Sequence, residues 1–380
     1  HATIRRQRQM CIRDRYMGGG RGRVFKPRVR DLHSLTTNSI ESYKNKPTYP
    51  EPIFQKQGWF FPNPHAARLH NKSGIGIKVA GGIILNCEEL IFCHLHRHVP
   101  LPKDFIVDNL ADDQDIFARI LVYEYTRKGG EISIPISHNR YSEYFGKSSM
   151  LLWSREKSWQ SDIPDTHVRW FWSKQSVDWE DIFLWVDEIH ALNCNADIYI
   201  IDEELEVTGY RLSFEDLRGV NQTWDDLSDL EKENLISLYN QRTESKIGSF
   251  IGNLESWPLK SIGYEHFSGV NLNQDEMNWL ESKIKSGDGR ESLFDNLVDR
   301  GLILRSGFKY GCKWRVYNDT IQSCHAPWLV EPVETSATNW QGVCLSVRLA
   351  AGVHKLWVCA KLYSGNWKFL SISRWTSGKK

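Results

Sequence analysis

Three side chains near the end of this 380-residue chain have the types and the spacing for acid–base chemistry: Tyr317, His325 and Lys355. Each stands at the margin of an apolar, strand-like run. From Phe308 to Tyr317 the residues alternate, which predicts Phe308, Tyr310, Cys312, Trp314 and Val316 on one face and Lys309, Lys313, Arg315 and Tyr317 on the other, basic face. His325 follows the turn-like Asn318-Asp319-Thr320 and precedes Trp328-Leu329-Val330, while Lys355 opens a strand expected over 354–360, behind a helical stretch from about 340 to 351 that Gly352 should stop. A phenol, an imidazole and an ammonium group together suit RNA cleavage without a metal. One group helps the 2′-hydroxyl attack the adjacent phosphorus, one protonates the departing 5′-oxygen, and a cation offsets the phosphorane charge. An imidazole titrates near 6.5 and fits the acid role, so His325 takes it and Lys355 becomes the charge stabiliser. Tyr317 is left as the base, which asks that cations such as Lys355 or Arg315 depress a phenol that ordinarily titrates near 10. Taken singly, such residues mostly pack or face solvent.

The charge distribution points to the same end of the chain. The formal net charge is only +1, yet residues 1–30 hold ten Lys/Arg against one acid and residues 301–380 hold eleven against three. The remaining 270 residues carry 27 basic and 43 acidic side chains, so an acidic body is followed by a basic module suited to a polyanion. With 41% hydrophobic residues the chain can bury a sizeable core, and its length asks for two or three domains. No apolar run approaches the roughly 20 residues of a membrane span and no signal-peptide core stands at the start, so a soluble cytoplasmic protein without membrane contact is expected. The eight cysteines form no CxxC pair and several sit in apolar runs, which predicts reduced, mostly buried thiols.

Residues 1–55 lack apolar periodicity and read as a disordered basic arm; with His1 first and methionines at 10 and 17, the native status of residues 1–16 is left open and they are set aside from the fold. A weak internal repeat follows. Asn86 and the Asn271–Asn273 stretch each open a helix, Gly130 and Gly301 each precede a strand, and Ile198-Tyr199-Ile200-Ile201 parallels Leu356-Trp357-Val358-Cys359. The expected fold class is α/β (α+β): a tandem repeat in which each copy has a small helical and strand N-terminal layer followed by a mixed α/β nuclease-like layer. The expected boundaries are a structural repeat at 56–213, an acidic connector at 214–255 and a catalytic repeat at 256–380.

Three segments resemble the tRNA-intron endonuclease family: Gly307-Phe308-Lys309-Tyr310-Gly311-Cys312-Lys313-Trp314-Arg315-Val316-Tyr317, then His325-Ala326-Pro327-Trp328-Leu329-Val330, then Val347-Arg348-Leu349-Ala350-Ala351-Gly352-Val353-His354-Lys355. In that family the tyrosine closing the first, the histidine opening the second and the lysine closing the third form the catalytic triad. The sequence departs at Ala326, where the family often has serine, and at His354, where it often has arginine. A fainter likeness at Tyr199–Thr208 to the family's degenerate repeat extends the resemblance over roughly 70–375. The resemblance implies an archaeal-type enzyme that cuts introns from pre-tRNA at bulge–helix–bulge motifs, leaving 2′,3′-cyclic phosphate and 5′-hydroxyl ends, with no cofactor. It further implies that Arg348 and Arg374 sandwich a bulge base, and that the molecule is a homodimer in which an acidic loop, here Glu215, Asp216, Asp225 and Asp226, docks on the partner's basic patch.

Two other readings compete. A non-catalytic structural or RNA-binding subunit of a splicing complex would share the fold without acting alone. Cys93-His94-Leu95-His96-Arg97-His98 packs four soft ligands into six residues and would suit a metal-dependent nuclease, but no second ligand cluster at familiar spacing partners it, so no metal is expected.

Overall fold

The structure, a computed structural model, describes residues 49–55, 58–137, 148–254, 256–266, 269–285 and 292–376. The expected disordered arm falls outside these residues as far as position 48.

Two four-stranded sheets and one ten-stranded sheet organise the described residues. The first small sheet, in spatial order β1-β2-β4-β3, is built from β1 (Ile53–Gln55), β2 (Gly58–Pro62), β3 (Ile77–Val79) and β4 (Gly82–Leu85), with helix α1 (His65–Ser73) between β2 and β3. Because β1 pairs antiparallel with β2, the boundary expected at 55/56 lies inside a hairpin. Helices α2 (Cys87–Arg97), α3 (Phe105–Asp112) and α4 (Ile116–Lys128) follow. Asn86 starts α2 through a capping box: its side chain accepts the Glu89 N–H, and the Glu89 carboxylate accepts the Asn86 N–H.

The first half then supplies β5 (Ile132–Pro135), β6 (Met150–Trp153), β7 (Thr166–Trp172), helix α5 (Trp179–Ala191), β8 (Asn195–Ile201) and β9 (Val207–Phe214). The second half begins with α6 (Asp229–Asn240) and a second small sheet of β10 (Thr243–Ser245), β11 (Gly248–Gly252), β12 (Tyr264–His266) and β13 (Gly269–Leu272), in spatial order β10-β11-β13-β12. The connector expected at 214–255 thus contains two strands of this sheet. Helices α7 (Gln274–Lys285) and α8 (Leu293–Asp299) precede β14 (Ile303–Ser306), β15 (Trp314–Tyr317), β16 (Trp328–Pro332), helix α9 (Trp340–Gly352), β17 (Leu356–Tyr363) and β18 (Asn366–Trp375).

The large sheet runs β14-β15-β16-β17-β18-β9-β8-β7-β6-β5. Its two flanks carry the same pairing pattern in opposite directions: each has one parallel pair, β7 with β8 and β16 with β17, joined through a helix, and β9 meets β18 antiparallel at the centre. Both faces are covered, which explains why the central strands read as continuous apolar runs rather than clean alternation. On one face Ile198, Ile200, Trp357 and Cys359 pack with Phe183 and Val186 of α5 and Val343 and Val347 of α9. On the other, Tyr199 and Ile201 join the core of the first small sheet, and Val358 and Ala360 join that of the second.

One expectation is corrected here. The strand predicted over Phe308–Tyr317 is a strand only from Trp314; Phe308–Tyr310 is a single 3-10 turn. Gly311 ends that turn at φ +67, a conformation glycine tolerates, and a Cβ at Gly307 would meet the Cys312 carbonyl oxygen at 2.5 Å, so the chain folds tightly on itself here. Phe308 consequently stands 88% exposed instead of joining Trp314 and Val316 in the core.

Candidate active site

Strand β15 delivers Tyr317 to an outer region of the large sheet, opposite Ile303 of β14. Its side chain is buried against Ile303 and Ala326, with Cys324 at the margin. The loop from β15 to β16 turns at Thr320, whose carbonyl accepts the Ser323 and Cys324 N–H groups, and then presents His325 to solvent immediately before Ala326. Lys355 lies on the turn from α9 into β17, where the Lys355 N–H reaches the Ala350 carbonyl and His354 adopts φ 55. The Lys355 Nζ donates to the Ala326 carbonyl at 2.5 Å. Three sequence segments therefore converge on one residue: Ala326 is packed by Tyr317, is bonded by Lys355 and directly follows His325.

A cationic and aromatic lining surrounds this point. The Arg315 guanidinium lies 6.0 Å from the Tyr317 ring centroid and 5.8 Å from that of Tyr310, and the Lys355 Nζ lies 6.0 Å from the Tyr310 ring. Burial holds the Lys355 ammonium below its ordinary pKa, and the repelling charge of Arg315 adds to the effect. Tyr310, expected on the opposite face, belongs to this lining because the 3-10 turn breaks the alternation.

Directly across the sheet from Arg315 stands Arg305, whose guanidinium is largely buried and bonded to the Glu276 carboxylate at 3.2 Å and to the Gly263 carbonyl at 2.6 Å. Glu276 in turn accepts the N–H groups of Gly263 and Asn273, each at 2.9 Å. Burial raises the Glu276 pKa and lowers that of Arg305, each against the attraction of the other. The Asn273–Glu276 cap was legible as a helix start; that its carboxylate also neutralises an arginine beside the site was not.

Arg348 and Arg374 are both exposed, on α9 and β18. Arg374 is paired in register with Tyr210 of β9, and both arginines lie within electrostatic reach of the Tyr210 phenol, whose pKa is pushed up chiefly by burial. The structure thus gathers these two around Tyr210. Of the four acids expected at a docking loop, Glu215 accepts from the Ser371 hydroxyl at 2.8 Å, Asp216 pairs with Arg218 at 2.7 Å and Arg300 at 3.1 Å, Asp226 accepts from Thr223, and Asp225 is exposed. The loop itself is laced to the second half: Leu217 and Leu227 enter its core, and the Val220 N–H donates to the carbonyl of Asn318, next to Tyr317.

The histidine cluster behaves as part of α2. His94 bonds the Val99 carbonyl at 2.9 Å and His96 faces Glu124 at 3.4 Å; among the described residues no group of three His, Cys, Asp or Glu side chains is placed to hold a metal ion. None of the described cysteines is in a disulfide, and burial pushes the Cys93 thiol up to about 12. No helix among the described residues is long and apolar enough to cross a membrane.

The second half is thus an α/β domain in which the β15 and β16 segments and the α9–β17 turn converge to form a basic, aromatic cluster. Residues 288–366 match the family model described as tRNA intron endonuclease, catalytic C-terminal domain. The chain is similar to the tRNA-splicing endonuclease of Picrophilus torridus, 26% identical over 197 residues, which is 51% of this chain and 61% of the relative. It is also similar to that of Thermoplasma volcanium, 29% over 176 residues, or 46% and 54% of the two chains. For the tRNA-splicing endonuclease of Thermococcus kodakarensis the figures are 36% over 89 residues, 21% and 52%. The matches span between about half and three-fifths of these relatives' own length.

Proposed function

We propose that the protein is a tRNA-splicing endonuclease that excises pre-tRNA introns at bulge–helix–bulge motifs, without a metal, through Tyr317, His325 and Lys355. The observation that carries this reading is the convergence of the three segments on Ala326, with the Lys355 Nζ 2.5 Å from its carbonyl. In the proposed reaction Tyr317 draws the proton from the 2′-hydroxyl as its oxygen bonds to phosphorus. Lys355 turns from Ala326 to the phosphorane oxygens, and His325 protonates the 5′-oxygen as the P–O5′ bond breaks. The products are a 2′,3′-cyclic phosphate and a 5′-hydroxyl. Arg315 lies over the Tyr317 ring beside the reacting groups, and Arg348 with Arg374 would hold a splayed base beside Tyr210.

The two halves are read as copies of one unit. Support comes from the mirrored strand order and from a shared local device: Glu89 accepts the N–H groups of Gly76 and Asn86 as Glu276 accepts those of Gly263 and Asn273. A substrate with two near-symmetric bulges calls for two sites, which a homodimer with one catalytic copy per chain would supply.

End-group analysis after incubation with a bulged RNA in EDTA tests the reading. Cyclic phosphate and 5′-hydroxyl ends are expected, and His325→Ala should lose at least about a hundredfold in rate while retaining RNA binding. Cleavage by the variant at the parent rate, or dependence on added metal, would sink the assignment.

A further inference from the structure

A cavity of about 510 Å³ opens in the first half of the chain, between α1 and the end of α2. Its rim is cationic, with Arg68 and Lys72 on α1 facing Arg97 at the end of α2, and with His65, His96 and His98 beside them. His96 faces Glu124, whereas Arg68, Lys72 and Arg97 pair with no carboxylate among the described residues.

Helix electrostatics accounts for only part of this arrangement. Lys72 and Arg97 occupy the last turns of their helices, where a cation complements the negative end of the dipole. Arg68 is nearer the opposite end: α1 begins at His65, its first turn holds no acid, and positive charge there is unfavourable. Arg68 and Lys72 are moreover like charges four residues apart on one helix, which repel. Arg68, held near the positive end of its helix and beside Lys72 and Arg97, suits a bound anion that offsets the three charges, and arginine's planar fork suits phosphate oxygens in particular.

The walls add a second requirement. Tyr49 lies edge-on to His65, with ring centroids 4.7 Å apart at 88°, and Phe61 and Leu69 line the cavity as well. The volume falls within the range of small-molecule pockets, roughly 300–1,000 Å³, and exceeds what a bare phosphate needs. Rings at the margin of a cationic pocket offer a surface for a planar base. We propose that this cavity binds a nucleoside phosphate, free or as one unit of an RNA strand, with the phosphate against Arg68 and Arg97 and the base against Tyr49 and His65.

Two probes separate the sources of that chemistry in the full chain: adenosine 5′-monophosphate by calorimetry, and a fluorescein-labelled 2′-O-methyl RNA decamer, which cannot be cleaved, by anisotropy. Because neither measurement involves cleavage, its failure is distinct from failure of the proposed activity. Arg68→Glu with Arg97→Glu is expected to weaken binding at least tenfold, while the charge-matched control Lys78→Glu with Lys103→Glu, on exposed sites, changes it less than twofold. Loss of the monophosphate supports a free-nucleotide site, and loss of the decamer alone supports a strand site. Arg68→Gln with Arg97→Gln, a milder pair, repeats the test should charge reversal lower the melting temperature. No binding of either probe by the parent chain, equal losses in the control, or inorganic phosphate binding as tightly as the monophosphate would overturn the proposal.

Discussion

Glu276→Gln is the substitution whose consequence can be worked most closely from the structure. The carboxylate makes three contacts: the Gly263 N–H and Arg305 reach one oxygen, and the Asn273 N–H reaches the other. Glutamine can keep an oxygen for the first pair, but its NH2 then faces the Asn273 N–H, so the start of α7 loses the reciprocal half of its capping box and gains a donor–donor clash, while the Asn273 side chain still accepts the residue-276 N–H. The larger effect is electrostatic. Burial alone pushes Glu276 up and Arg305 down, so desolvation opposes this pair and its net worth is small; removing one partner, however, leaves a guanidinium buried without its counter-charge. That loss is about 3–5 kcal/mol, a large part of the roughly 5–15 kcal/mol that holds a typical domain folded. Guanidinium denaturation followed by tryptophan fluorescence should show the midpoint fall with little change in slope. The double variant with Arg305→Gln should lose less than the two single losses added, by at least about 1.5 kcal/mol. A single-variant loss below about 1 kcal/mol, or strict additivity in the double, would refute the reasoning.

The remaining predictions concern charge, space and exposure. Burial holds His167, bonded to Ser148, down at about 4, so between that value and its ordinary 6.5 the unfolded chain binds a proton that the folded chain does not. Stability should therefore rise with pH across that window, by about 3 kcal/mol in total from this group, and His167→Gln should flatten the slope measured by denaturation at a series of pH values. Arg315→Gln removes a charge that helps hold Lys355 low, so the alkaline limb of the cleavage profile should move to higher pH; a move to lower pH would contradict the role given to Lys355. Gly219→Ala places a Cβ 2.0 Å from the Gly301 carbonyl oxygen, which should cost about 1–3 kcal/mol in thermal melts. Phe308→Ala, at a side chain 88% exposed, should leave stability within about 0.5 kcal/mol while weakening RNA binding if that ring stacks on a base.

Much of the layer plan was legible in the sequence, because the local signals and the packing agree. Asn86 caps α2 as its position before an acidic first turn foretold, and Gly130 and Gly301, both at positive φ, each stand two residues before a strand. The hairpin that joins β17 to β18 forms because Ser364 and Gly365 take φ 49 and 82, the left-handed pair that a tight antiparallel turn requires. The boundaries were harder. Short strands such as Ile53–Gln55 and Thr243–Ser245 are exposed along their whole length, so no buried alternation marks them.

The candidate site divides in the same way. Tyr317, His325 and Lys355 could be placed by element, since each terminates or precedes an apolar run whose register the parallel pair β16–β17 fixes: Trp328 sits opposite Leu356, so the residues just before them, Pro327 and Lys355, arrive together. Parallel pairing thus converts a separation of some thirty positions in sequence into adjacency, and the Leu356 N–H closing on the Pro327 carbonyl secures it. What patterning could not reveal is the lining. Tyr310 reaches the site only because a 3-10 turn rotates it away from the strand phase, and Arg305 is kept charged and in place by a glutamate from a helix of another layer. Both depend on contacts between segments far apart in the chain, which period-2 reasoning on a single strand does not see. A lining assembled this way should answer to distant substitutions, so Glu276→Gln, which touches none of the three proposed catalytic groups, is expected to slow cleavage through Arg305 and Arg315 even under conditions where the chain remains folded.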